Sequence, residues 1–141
     1  ADKYAYGHYT HEKNPVTTRA ALTTLQIIED DGLVENAATV GKYALERLQE
    51  MQQRHPLIGD VRGRGCLFGA ELVTDRDSRT PANDAADMVL YRALDKGLSF
   101  KTTMGNVLTF TPALVTTQKD MEYAMNIIDI CLGEVEKELG Y

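Results

Sequence analysis

The chain has 141 residues, 43% hydrophobic and 26% charged, with a formal net charge of -6 and a pI near 5.0. That composition fits one ordinary globular domain with a real core, and the acidic balance argues against nucleic acid or an anionic membrane surface as the main partner. No apolar run approaches the roughly 20 residues of a membrane span, and the opening residues lack the pattern of a secretory signal, so the expected compartment is the cytoplasm.

Residues 1–14 are polar and aromatic without a sustained period and read as an extended lead-in. Pro15 suits the first turn of a helix, with Asn14 as its N-cap, and Ala20, Ala21, Leu25 and Ile28 repeat at helical spacing. The Asp30-Asp31-Gly32 triplet breaks or bends that helix. A second run through Leu33, Ala37, Val40, Ala44, Leu48 and Met51 stops before His55-Pro56, so residues 15–55 form one long amphipathic helix or a bent pair. Ile58 to Val73 reads as a strand, a glycine-marked turn or bulge, and a second strand. Asp75 to Pro81 is a polar loop. Asn83 caps a helix running through Ala86, Val89, Leu90 and Leu94, which Gly97 ends. Leu98–Phe100 and Val107–Thr111 are strand candidates on either side of a Met104-Gly105-Asn106 turn. Thr117 caps a last helix with Met121, Ala124, Met125, Ile128 and Leu132 along one face. The order predicts an α+β fold: a small, mostly antiparallel sheet with helices on one side, occupying residues 56–141.

Several residues could carry chemistry, and most have a plainer reading. Thr10 places a hydroxyl in a loop four residues before Asn14-Pro15, where free amides at a helix start suit a phosphate; the plain alternative is a turn threonine. Gly63, Gly65 and Gly69 are followed by a strand-like run rather than a helix, so tight strand packing accounts for them better than nucleotide binding. Arg62 and Arg64 could grip an anion but read first as solvated charges. Glu29, Asp30, Asp31 and Glu35 read as a solvated face rather than a catalytic carboxylate pair. Tyr4, Tyr6 and Tyr9 cluster in the lead-in and suit an interface. Cys66 and Cys131, far apart among apolar neighbours, read as two buried free thiols. His8, His11 and His55 fall in no metal-ligand spacing.

Three segments taken together carry a resemblance: Thr10-His-Glu-Lys-Asn14-Pro15, Val61-Arg-Gly-Arg-Gly65-Cys-Leu-Phe-Gly69-Ala-Glu71-Leu72, and Asn106-Val-Leu-Thr109-Phe-Thr-Pro112-Ala-Leu114. In order and spacing they resemble the C-terminal part of class III aminotransferase-like enzymes of fold type I, which use pyridoxal 5'-phosphate (PLP). The resemblance runs from about Tyr6 to Leu132. It implies that Thr10 binds the cofactor phosphate of a neighbouring subunit in a homodimer with shared active sites, although His11-Glu12-Lys13 departs from the small residues usual there. It implies that 1–14 is a cofactor loop, 15–55 an interdomain helix and 56–141 the small domain. The Schiff-base lysine would belong to a large domain preceding Ala1, so Lys101 is not that residue and the chain alone should be inactive. Lys101 keeps at most a role near the mouth of the site.

Thr109 aligns with an arginine that grips a substrate carboxylate in many members. A threonine offers no bidentate cationic fork but can hydrogen-bond a neutral amide. The resemblance is therefore nearest the α-amino-ε-caprolactam racemases, which remove and return the Cα proton of amino lactams and amino acid amides. An aminotransferase acting on an amine or ω-amino acid, and a non-enzymatic α+β binding module, are the competing readings.

Overall fold

The computed structural model describes residues 14–141; Thr10 and the Tyr4, Tyr6 and Tyr9 cluster lie outside the described residues. The chain divides into two compact units, residues 1–33 and 34–141.

The first unit contains α1 (Pro15–Asp30). Asn14 Oδ1 accepts the Val16 N–H at 2.9 Å and Pro15 occupies the first turn, so the cap and the proline act as the sequence predicts. The helix stops at Asp30, and Gly32, at φ 61°, turns the chain.

The second unit is built on α2 (Leu33–Arg54), β1 (Ile58–Arg64), β2 (Leu67–Asp75), β3 (Thr80–Pro81), α3 (Asn83–Asp95), β4 (Lys101–Thr103), β5 (Val107–Phe110) and α4 (Gln118–Leu139). The sheet order is β1-β2-β5-β4, every pairing is antiparallel, and β3 is a two-residue addition to β2 inside the expected loop. One sheet face presents Ile58, Phe68, Ala70, Leu72, Leu108 and Phe110 to the core, against Val40, Ala44, Leu48 and Met51 of α2, Ala86, Val89 and Ala93 of α3, and Met125, Ile128, Leu132 and Val135 of α4. Side chains alternate across a strand, so Arg62, Glu71, Lys101, Thr103, Val107 and Thr109 belong to the opposite face. Thr117 caps α4, as the sequence predicts, and its hydroxyl and Asp120 exchange bonds in a capping box.

Three local expectations need correction. Asn83 does not cap α3. Ala82 holds that position without a side-chain bond, and Asn83 instead lies over Gly105, the φ 84° residue of the β4–β5 turn. Leu98–Phe100 is not a strand. Gly97 N–H bonds Leu94 O at 2.9 Å and Leu98 N–H bonds Ala93 O at 2.8 Å, a Schellman closure of α3 that uses those residues before β4 begins at Lys101. Cys131 is a buried free thiol, but Cys66 is only half-buried; burial pushes both thiols above the usual value.

Candidate functional site

The face of the sheet turned away from the core carries the row Arg62–Gly69–Thr109–Lys101, one residue from each of the four strands in register. Gly69 is fixed there because a Cβ would lie 2.5 Å from Leu108 O. The missing side chain leaves a notch between Arg62 and Thr109. A shallow depression of about 410 Å³ opens over it, lined by Arg62, Arg64, Gly69, Thr103, Met104 and Thr109 among others.

Of the two arginines that line this depression, Arg64 is exposed and Arg62 is ion-paired. Arg62 donates to Asp60 at 2.5 Å and Glu71 at 2.7 Å. The bonds from Asp60 and then Glu71 raise its guanidinium above the usual value against the opposing effect of burial. Thr103 and Thr109 are half-buried, and their hydroxyl oxygens are 2.7 Å apart. One hydroxyl donates to the other, and Thr109 Oγ1 also lies 3.5 Å from Val107 O, a long contact that can take the pair's second proton. That is a neutral polar spot, suited to a carbonyl or amide rather than to a bare carboxylate. Lys101 is exposed on the edge strand beside Thr109. Asn106 supports the turn from below: its Nδ2 donates to Leu72 O at 2.9 Å, and Leu72 N–H bonds back to Asn106 O at 2.8 Å.

The glycine turn after β1 is occupied by protein. Gly65, at φ 54°, lies against Gly41 of α2 so closely that a Cβ on Gly41 would meet Gly65 O at 2.1 Å. Tight packing against α2 therefore accounts for the glycine at this position. A larger depression, about 500 Å³, lies at the start of α3 between Thr74, Asn83, Asp84 and Tyr141 and has no cationic lining residue. Among the described residues no group of His, Cys, Asp and Glu is arranged for a metal ion, and no helix is long and apolar enough to cross a membrane.

One polar cluster was missed by reading histidines only for metal spacing. His55, at the C-terminal end of α2, bonds Glu136 and Asp129 of α4. The available signal was Glu136 itself, a charged residue beside Leu132 and Val135 on the apolar stripe of α4.

Comparison with known proteins supplies the family. Residues 6–132 match the profile of the aminotransferase class-III family. The chain is 40% identical, over its whole length, to 29% of the (R)-1-hydroxy-2-aminoethylphosphonate ammonia-lyase of Vibrio splendidus. It is 45% identical, over 91% of its length, to 28% of the isoleucine 2-epimerase of Lentilactobacillus buchneri. The solved omega transaminase of Pseudomonas jessenii in complex with PMP superposes with a TM-score of 0.86 at 30% identity, covering 96% of this chain and 30% of that one. The chain thus spans about three-tenths of the length of these relatives. With the profile match across most of the sequence, the chain belongs to the aminotransferase class-III family, whose members are PLP-dependent.

Proposed function

We propose that this chain is the C-terminal part of a racemase or epimerase that removes and returns the Cα proton of an amino compound, with an amino lactam or amino acid amide as substrate, as in α-amino-ε-caprolactam racemase. The carrying observation is the Thr103–Thr109 hydroxyl pair at the notch, where a substrate carbonyl can replace the long 3.5 Å contact to Val107 O as acceptor of the second hydroxyl proton. A free carboxylate at the hydroxyl pair gains no cationic fork from Arg62, which is held by Asp60 and Glu71. Racemases and epimerases among the relatives support the reaction class.

The described residues do not by themselves make a PLP site. The glycine turn packs against α2 and leads into a strand, Thr109 is engaged with Thr103, and Lys101 sits on an exposed edge. They supply one wall of a pocket, and no reaction step is assigned to them through the cofactor. We assign the phosphate contact to Thr10, across a homodimer, and the Schiff-base lysine to a preceding large domain. It follows that the 141-residue chain alone is inactive and that borohydride reduction with PLP leaves Lys101 unlabelled.

A second reading has its own support. The 45% identical relative is an isoleucine 2-epimerase, whose named substrate is a free amino acid. Chiral chromatography of α-amino-ε-caprolactam, free lysine and free isoleucine, each with the whole enzyme and PLP but no keto acid, separates the cases. Faster racemization of the lactam supports the neutral-group reading, and faster turnover of a free amino acid supports the second. Turnover only with a keto acid returns the protein to the aminotransferases.

A further inference from the structure

The His55 cluster lies at the junction of α2, β1 and α4, outside the candidate pocket, and its hydrogen bonds impose a proton count. His55 Nδ1 is 2.6 Å from Glu136 Oε2 and Nε2 is 2.7 Å from Asp129 Oδ1. A neutral imidazole has one donor and one acceptor nitrogen, whereas an ionised carboxylate only accepts. With both carboxylates ionised, two such contacts on one ring need two ring protons. The partners' remaining bonds all treat them as acceptors. Asp129 takes both arms of Arg54, at 3.1 and 3.0 Å, and Glu136 Oε1 accepts the Leu57 N–H at 3.2 Å. Burial acts to raise the Asp129 carboxyl, but the bonds from Arg54 and His55 outweigh it and hold the group below its usual value.

Charge balance points the same way. The groups facing the ring are Arg54 from α2 and Asp129 and Glu136 from α4. Arg76, from the loop after β2, is spent on carbonyls, donating to His55 O at 2.8 Å and Gln52 O at 2.5 Å. With a neutral ring, Arg54 and two carboxylates leave one uncompensated negative charge beside side chains only 8% and 10% exposed. With protons on both nitrogens the four groups sum to zero, and a cation at the end of α2 also suits the helix dipole.

We propose that His55, protonated on both ring nitrogens, is a proton-dependent clamp that fastens the α2–β1 corner to α4. Loss of either ring proton turns a lone pair toward a carboxylate and opens one side of the clamp.

The test uses the whole protein labelled with 15N-histidine, in which the His55 ring is identified by its cross-peaks to Gly133, whose position lies beside its Cε1. At pH 7 both its nitrogens should show protonated shifts with two-site coupling. A bare ring nitrogen would overturn the proposal. Thermal unfolding at pH 7 should give His55→Gln a lower Tm than the parent, because one amide nitrogen cannot reach both carboxylates. Equal Tm values for the two proteins would refute the clamp. If His55→Gln does not fold, the spectrum still decides.

Discussion

Gly41 and Gly133 are both helix-interior glycines, and the structure predicts opposite consequences when each becomes alanine. Helix propensity alone favours alanine at either site by about 1 kcal/mol. At Gly133 nothing opposes that gain, since a Cβ would meet only His55 Cε1 at an ordinary 3.9 Å. At Gly41 the new Cβ would stand 2.1 Å from Gly65 O and 2.4 Å from Gly65 C. A close C···O contact is about 3.3 Å, so α2 would have to retreat by roughly 1 Å from a rigid turn. Overpacking on that scale costs about 3 kcal/mol, leaving Gly41→Ala less stable by about 2 kcal/mol after the propensity gain. At roughly 3 °C per kcal/mol for a chain of this size, its Tm should fall by about 6 °C. Gly133→Ala should rise by about 3 °C on the same scale. Urea unfolding followed by circular dichroism gives both signs. A Gly41→Ala protein as stable as the parent would refute the helix–turn contact and the rigidity of the glycine turn beside Arg64.

Asp129 makes a prediction at the acid end. Its carboxyl is held below the usual value by Arg54 and His55 despite burial, so its contribution is present above the ordinary value of about 3.9 and is lost as pH falls below it. Asp129→Asn should flatten the acid limb of a Tm–pH curve, and an unchanged limb would remove the ion pair from the argument. In the whole enzyme, Thr10→Ala should weaken PLP retention by about 1–3 kcal/mol, the scale of a hydrogen bond to a charged group; equilibrium dialysis with unchanged affinity would exclude Thr10 from the site. Thr109→Arg should move preference from amino lactam toward free amino acid, measured as the ratio of kcat/KM values, and an unmoved ratio would place Thr109 outside the substrate pocket.

What could be read from the sequence divides along physical lines. Elements set by local chemistry were legible: Asn14-Pro15 starts α1, the Asp30-Asp31-Gly32 triplet ends it, Thr117 caps α4, and the run from Val107 forms a strand. Leu98–Phe100 misled because apolar β-forming residues also serve as the hydrophobic partner of a helix closure, and only the bonds back to Ala93 and Leu94 reveal which use applies. Asn83 misled for a related reason. A capping residue type one position inside a helix has no local mark of its displacement, and the β4–β5 turn that holds it lies 22 residues away.

The candidate site obeys the same division. Thr109 was visible as a departure from the family's arginine, but its chemistry depends on Thr103, which reaches it only through the antiparallel pairing of β4 with β5. The same pairing explains why Gly69 matters. In sequence it is one glycine of several, whereas in the sheet it is the residue between Arg62 and Thr109 whose missing side chain opens the notch. Arg62 could have been an anion grip in the sequence. In the fold it is committed to Asp60 and Glu71, so it is not the free anion grip that the sequence allowed. Substrate preference at this face is therefore argued from a register of four strands, not from any single residue, and a one-residue slip of β5 would turn Thr109 into the core and abolish it.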